Sequence, residues 1–305
     1  MGERITKMDF NGFIKDFCTQ VQKRLGENYL VTVENIRKGR EPGDYALCVR
    51  NAAGEGKALA YFSVEEAYSD HQRGLSMEPA LDKLLEKTRC ASRFLKETES
   101  GRMSSGWKGV KDCVYPMMIW PERNRELLSM LPHRQFLDLS VGYIIRKTYP
   151  GVGTIAIKIT KDLQKLLGIT EEELYQQALK NLKEDHYQIR NMAEIIRENF
   201  TEEEAEKFAD DDSLLVLTNE EKWYGAAGVL LEKDFFQRTL GHRSYYVIPS
   251  SIHELMFAPA DTIWEEEEVN WMLRQVNREQ LSEEEWLNDH VYIYNGWTGE
   301  IENMN

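Results

Sequence analysis

The sequence predicts an α+β protein, because its strand patterns and helix patterns come in clusters and do not alternate one by one. Runs in which every second residue is apolar, the pattern of a half-buried strand, recur in separate parts of the chain. Stretches with apolar residues three and four apart, the pattern of an amphipathic helix, lie between them. We therefore expect an N-terminal α-β-β-β-α lobe, followed by a larger lobe with a mixed or antiparallel sheet and flanking helices.

The N-terminal lobe, residues 1–100, begins with a helix that Gly26 ends. The apolar residues on one face of this helix are Phe10, Phe13, Ile14, Phe17, Val21 and Leu25. Three strand-like segments follow, at residues 29–36, 45–50 and 58–62. Turn-forming residues separate these segments, so we predict an antiparallel meander. Apolar residues spaced between Met77 and Leu95 predict a second long helix.

The larger lobe is predicted over residues 101–305, with the alternative that both lobes pack as one compact unit. Its predicted strands are residues 114–120, 137–145, 155–159, 214–217, 225–231, 245–248, 253–258 and 290–294. Pro150 and Gly153 separate two alternating runs, which predicts a hairpin. Helices are predicted at residues 122–131, after Ile159 as far as Phe200, at 234–240 and after the acidic cluster 265–268. Three capping-box patterns mark helix starts, at Thr170–Glu173, Thr201–Glu204 and Ser282–Glu285.

Composition excludes several classes of function. The net charge of −14 and the pI near 5.1 oppose binding to phosphate backbones and to anionic lipid surfaces, so we expect neither a nucleic-acid partner nor a membrane. No apolar run approaches the ~18–20 residues of a membrane span. The four cysteines form no Cys-x-x-Cys pair, which favours buried thiols in a reducing compartment. We predict a cytoplasmic protein.

Cofactor motifs are absent as well. Neither common glycine-rich phosphate loop occurs, and Phe257 stands where a metalloprotease helix would need its second histidine. The acidic run 202–212 lacks the alternating ligands and the central glycine of a calcium loop. We therefore predict no cofactor and no metal.

The chain resembles an uncharacterised bacterial family that is known only as a domain of unknown function. The segments that carry the resemblance are Arg123–Leu128, Pro132–Leu139, Thr170–Leu174, Leu217–Asn219, Tyr224–Ala227, Ile248–Glu254, Val276–Arg278 and Asp289–Tyr292. Their order and spacing match over about residues 110–300, whereas the N-terminal third agrees in pattern only. Since this family has no established activity, the resemblance implies no catalytic residues and only ranks positions for testing.

The positions that we rank as candidate site residues are His133, Asn219, Ser250, Ser251, His253, Glu254, Asp289 and His290. The segment Pro249–Glu254 is the most concentrated, because it contains a nucleophile, a base and an acid. In an extended strand, however, Ser251 and His253 would lie about 6.5 Å apart, whereas a relay needs roughly 2.6–3.2 Å. The structural alternative is a proline-serine corner whose hydroxyl groups bond the backbone.

The remaining candidates have two interpretations each. His133 could be a general base beside an anion clamp at Arg134, or it could bond a carbonyl at the end of the preceding helix. Asn219 could orient a ligand, or it could turn the chain. A metal would require distant residues to converge, with Asp138, Asp289 and His290 among them.

The leading functional hypothesis is a non-enzymatic protein that binds another protein or a small ligand. Its basis is the lack of a catalytic signature, the acidic composition and the late tryptophans Trp264, Trp271, Trp286 and Trp297. An exposed pair of these tryptophans would mark a partner surface. The alternative is a hydrolase or metal-dependent enzyme that uses His253, Glu254 or His133 with distant partners. A homo-oligomer is compatible with either hypothesis.

Overall fold

The computed structural model of the chain describes residues 8–35, 45–52, 58–99, 106–149, 153–199, 214–261, 266–281 and 285–304. Contacts divide the chain into two compact units. The first comprises residues 1–104 and 147–155, and the second comprises residues 105–146 and 156–305. Helices occur together with antiparallel sheets, which confirms the predicted α+β class.

The smaller unit contains the predicted helix and meander. In chain order its elements are α1 (Phe10–Leu25), β1 (Tyr29–Asn35), β2 (Tyr45–Asn51), β3 (Ala58–Ser63), α2 (Glu65–Gln72) and α3 (Glu78–Glu99). The three strands pair antiparallel in the order β1-β2-β3, so the meander is confirmed. The short helix α2 is an addition to the predicted order. Of its described side chains only Ala67 and His71 are buried. A helix with so narrow a buried face needs few apolar residues, so its mostly polar sequence shows no helical apolar pattern.

Asp9 and Gly26 set the start and the end of α1. The Asp9 carboxylate accepts a hydrogen bond from the Gly12 N–H at 2.7 Å, and Gly26 ends the helix with a φ of 80°. The inward face buries Phe13 and Phe17 completely against the meander, and each buried ring contributes about 1.5–3 kcal/mol. This core therefore rests on the apolar periodicity of α1.

Two sheets organise the rest of the chain. The four-stranded sheet consists of β4 (Val114–Ile119), β5 (Arg134–Phe136), β6 (Leu139–Tyr149) and β7 (Gly153–Lys158), with β6 paired to the other three strands. The six-stranded sheet has the order β13-β12-β10-β11-β9-β8. Its strands are β8 (Tyr187–Asn191), β9 (Leu215–Asn219), β10 (Tyr245–Ser251), β11 (Glu254–Pro259), β12 (Tyr292–Asn295) and β13 (Glu300–Asn303). Every pair in the six-stranded sheet is antiparallel.

The helices of the larger unit are α4 (Arg125–Met130), α5 (Lys161–Leu167), α6 (Glu171–Glu184), α7 (Met192–Asn199), α8 (Lys233–Leu240) and α9 (Glu266–Gln280). The capping box at Thr170 is confirmed, because its hydroxyl accepts from the Glu173 N–H while the Glu173 carboxylate accepts from the Thr170 N–H. The patterns predicted at Thr201–Glu204 and Ser282–Glu285 involve residues outside the described part of the chain, as does the acidic run 202–212. No described helix combines the length and the apolar character that crossing a bilayer requires.

Several sequence predictions of local structure are wrong. Residues 225–230 form a short 3-10 helix and not a strand, since a buried apolar run of this length does not distinguish the two. β8 lies within a region predicted to be helical, and β5 and β13 were not predicted. Leu137 was assigned to a strand by alternation, yet it lies in the turn between β5 and β6 with a φ of 51°.

Candidate functional site

An open cleft of about 400 Å³ lies beside α4 in the larger unit. The residues that line it are Pro121, Glu122, Arg125, Leu128, Ser129, His133 and Lys161. Leu128 also belongs to the apolar cluster beneath, with Met117 and Ile144, so the floor of the cleft is fixed by the core. Of the candidates ranked from the sequence, only His133 lines this cleft.

His133 is held by its backbone surroundings. Its Nδ1 lies 3.0 Å from the Leu131 carbonyl oxygen, just beyond the end of α4. A carbonyl can only accept, so Nδ1 carries the proton and Nε2 is left as the second ring nitrogen for other partners. The structural interpretation of His133, a bond to a carbonyl at the helix end, is thus present in the structure. That bond occupies only one of the two nitrogens.

Two cationic side chains accompany His133 in the cleft. Lys161, the first residue of α5, donates to the Ser129 carbonyl at 2.7 Å, which leaves two ammonium N–H groups for other partners. Arg125, the first residue of α4, is exposed and forms no hydrogen bond or ion pair with the described residues. One carboxylate, that of Glu122, also lines the cleft. Positive charge therefore predominates there.

The neighbouring Arg134, unlike Arg125, is held in ion pairs. Its guanidinium donates to Glu171 at 2.9 and 2.6 Å and to Glu172 at 2.6 Å, and it stacks on the Tyr175 ring at 3.6 Å. The hydrogen bonds from Arg134 lower the pKa of both glutamates. The anion that Arg134 clamps is thus a pair of carboxylates from α6.

The turn between β10 and β11 carries four of the candidates. The Ser250 hydroxyl donates to the Glu254 carbonyl at 3.2 Å, and the Ser251 hydroxyl accepts from the His253 N–H at 3.0 Å. Both hydroxyl groups bond the backbone, as a structural corner would require. Burial raises the pKa of the Glu254 carboxyl group, although the charges of His253 and Lys222 oppose the shift.

The His253 ring anchors a second chain segment. Its Nδ1 accepts the Tyr224 N–H at 3.2 Å, which places the ring proton on Nε2. That Nε2 lies 3.7 Å from a carboxylate oxygen of Glu285. The Thr218 hydroxyl donates to the His253 carbonyl at 2.9 Å. His253 therefore fastens the segment 218–224 to the turn.

Asn219 lies at the end of β9 and is almost completely buried. Its side-chain amide donates to the Trp223 carbonyl at 3.0 Å and accepts the Trp223 N–H at 3.1 Å, so it shapes the turn as the structural interpretation expects. The same amide donates to Asp185 at 3.2 Å. Asp185 in turn pairs with the buried Arg146 at 2.6 Å, so Asn219 belongs to an internal polar network.

His290 and Asp289 form a third cluster. His290 Nε2 lies 2.9 Å from Asp138, and His290 Nδ1 lies 3.4 Å from the Asp289 carboxylate. Asp138 also accepts from the Tyr292 hydroxyl at 2.6 Å and from the Asn288 amide at 3.3 Å. The sequence ranks Asp138 only as a potential metal ligand, and nothing local identifies it as the partner of a histidine so distant in the chain.

The candidates therefore fall into separate hydrogen-bonded groups. The described non-glycine residues with positive φ lie beside two of these groups, namely Leu137 next to Asp138, and Lys222 and Tyr224 next to His253. Arg125 and Lys161 were not among the candidates, because an exposed cation at a helix start is common in any sequence. Within the described ranges, no group of His, Cys, Asp and Glu has the arrangement of a metal site.

The late tryptophans differ in their solvent exposure. Trp286 is buried and packs on Trp120, whereas Trp271 is 59% exposed and Trp297 is 82% exposed. Trp264 lies outside the described residues. Trp271 and Trp297 are thus the described positions at which a protein partner would first be sought.

One comparison with known proteins gives a match. The model of a family described as a family of unknown function, DUF5688, matches residues 10–296. This match confirms the predicted membership of an uncharacterised family. No curated protein matches the chain, and no solved structure does.

Proposed function

The chain belongs to the family of unknown function DUF5688, and from the cleft beside α4 we propose that it binds a small anionic ligand without transforming it. The observation that carries this proposal is the placement of Arg125, His133 and Lys161 around one concavity in a chain with a net charge of −14. Since a chain of this net charge repels anions as a whole, the cations Arg125 and Lys161 in one concavity would attract an anion locally.

The donors in the cleft suit a carboxylate or a phosphate. Arg125 offers a planar fork that pairs with two oxygens, Lys161 offers two N–H groups, and His133 offers its Nε2 edge. A volume of about 400 Å³ is in the range of small-molecule sites. Glu122 would accept a hydrogen bond from a hydroxyl or amino group on the same ligand.

Isothermal titration with citrate and with inorganic phosphate tests the proposal. We expect saturable binding of at least one probe, weakened about tenfold by Arg125→Gln, since a charge-assisted hydrogen bond at an exposed site contributes about 1.5 kcal/mol. The matched control is Arg278→Gln, which removes the same charge from an exposed position on α9. Absence of saturable binding, or an equal loss in the control, would contradict the proposal.

A hydrolase that uses His133 is the second candidate, favoured by the Nε2 atom that the Leu131 bond leaves available. Such an enzyme would release nitrophenol from nitrophenyl phosphate or nitrophenyl acetate, and His133→Asn would abolish the release. Binding of the anions without turnover of either ester supports the binding protein. We further propose a bacterial cytoplasmic location, which the acidic composition and the spread of the four cysteines support.

A further inference from the structure

The turn Leu137–Asp138 joins β5 to β6 through only two residues. Phe136 and Leu139 pair directly on either side of it. Leu137 has a φ of 51°, a left-handed conformation in which its Cβ is strained and which glycine or asparagine would adopt more readily. Such a turn persists only when its surroundings hold it, so the contacts of Asp138 become important.

Within the hairpin the Gln135 amide donates to the Leu137 carbonyl at 2.9 Å, and Asp138 supplies the contacts that join the turn to a distant segment. Its carboxylate accepts hydrogen bonds from the Tyr292 hydroxyl at 2.6 Å and from the Asn288 amide at 3.3 Å, and it lies 2.9 Å from His290 Nε2. All three partners come from one short segment, residues 288–292. The turn is therefore attached to a single receiving segment.

The receiving segment is itself fixed to α9. The Asn277 amide donates to the Asn288 carbonyl at 2.7 Å, and the Val291 N–H donates to the Asn270 side chain at 2.8 Å. Both asparagines are buried. Because these anchors do not involve His290, the element that can detach is the strained turn and not the segment.

His290 is the titratable donor of this attachment. Nε2 faces Asp138 at 2.9 Å, and Nδ1 faces Asp289 at 3.4 Å. The Tyr292 ring lies 5.5 Å away, and from α9 Arg274 donates to the Asp289 carbonyl at 3.4 Å. A charged imidazole donates to both carboxylates, whereas a neutral one has a single N–H and directs a lone pair at a carboxylate.

We propose that His290 is a proton-dependent latch, which strengthens the attachment of the strained turn Leu137–Asp138 while its imidazole is charged and weakens that attachment when the proton is lost. This regulation does not rest on ligand binding in the cleft. It requires only the two carboxylates, the strained turn and the fixed segment.

The electrostatics agree with this geometry. The hydrogen bond to Asp138 and the charge of that carboxylate raise the pKa of His290, although partial burial opposes the shift. Burial acts to raise the pKa of Asp138, but hydrogen bonds from His290, Tyr292 and Asn288 hold it at about 2. Because the His290 pKa is raised, the closed latch is fully favoured below the ordinary value of about 6.5, and this advantage is lost as the pH rises through the raised value.

Amide hydrogen exchange followed from pH 6 to pH 9 tests the latch. The protection factors, which are corrected for the intrinsic pH dependence, are measured for the residues of the turn and for the β10–β11 ladder as an internal reference. We expect protection in the turn to fall about tenfold across this range, since the loss of one charge-assisted hydrogen bond changes an opening equilibrium by about that factor. The reference ladder keeps its protection.

His290→Gln is the informative variant, because its amide retains a donor near the position of Nε2 but does not titrate. We expect its turn protection to be independent of pH in this range, and His186→Gln, at an exposed position, to behave like the wild type. The latch is overturned if wild-type protection of the turn does not change with pH, or if it falls equally in His290→Gln. If the variant fails to fold, the titration of the His290 ring is followed by NMR in the wild type, and a midpoint that differs from that of the turn protection overturns the latch.

Discussion

His253 and His290 each lie next to a carboxylate residue in sequence and near a strained turn, yet their rings have opposite hydrogen-bonding roles. His253 accepts a backbone N–H on Nδ1, whereas His290 has a carboxylate at each ring nitrogen. The first ring therefore joins two backbone segments by accepting a hydrogen bond, and the second joins two acids by facing a carboxylate with each nitrogen. Their different roles come from Tyr224 and Asp138, partners that the local sequence does not reveal.

Gly225→Ala tests the close contact between the segment 218–225 and the turn that carries His253, and it has the largest expected effect on stability. A Cβ at this position would lie 2.3 Å from the His253 carbonyl oxygen and 2.4 Å from the Thr218 hydroxyl, so the segment 218–225 and the turn would have to separate. We expect a loss of about 3 kcal/mol in the free energy of unfolding, measured with urea.

Gly168→Ala is the matched control for this change. Gly168 has a left-handed backbone with a φ of 70° and nothing within 4 Å of its added Cβ, so only backbone strain of about 1 kcal/mol opposes the alanine. Equal losses in the two variants would show that the close contact between the two segments contributes nothing.

A smaller effect is expected when the His253 ring is removed. His253→Ala leaves the half-buried Tyr224 N–H without its acceptor, which costs about 1–2 kcal/mol. His253→Asn places an amide oxygen near the position of Nδ1, so we expect it to recover about half of that loss. Urea unfolding of both variants provides the measurement, and an asparagine variant as unstable as the alanine variant would argue against the acceptor role.

The contrast between the two histidines also shows how much the sequence could predict. The ends of α1 and the capping box at Thr170 are predictable, because their signals lie within a few residues of the element. The turn at Leu137 is not, since alternation of Leu137 with Leu139 indicates a continuing strand and no glycine or asparagine marks the turn.

The same limit applies to the candidate sites. His133, His253 and His290 could be ranked from their residue types, but their roles depend on groups that only the fold brings near. Arg125 and Lys161 come together through the positions of two separate helices, α4 and α5. Asp138 reaches His290 through a two-residue turn whose backbone conformation the sequence does not announce. Chemistry that is local in sequence is therefore predictable here, whereas pairing across the chain is not.

Asp138→Asn tests the attachment of the strained turn to His290, and it has the smallest expected effect on stability. The Asp138 pKa falls from the model-compound value of 3.8 to about 2, which at about 1.4 kcal/mol per unit would correspond to roughly 2.5 kcal/mol. The carboxylate is 37% exposed, so solvent screening reduces this to about 1 kcal/mol. Since the folded pKa is depressed, the contribution is present above about pH 4 and is lost as the pH falls towards 2.

We therefore expect the wild type to be about 1 kcal/mol more stable than Asp138→Asn at pH 6, with the difference shrinking on acidification. Urea unfolding of both proteins at pH 6, 4 and 3 measures this difference directly. Asp261→Asn provides the control for an exposed carboxylate, because its partner Arg243 does not titrate in this range. If the two asparagine variants lost stability equally, the attachment of the strained turn to His290 would be no stronger than an ordinary surface ion pair, and the contrast between the two histidines would disappear.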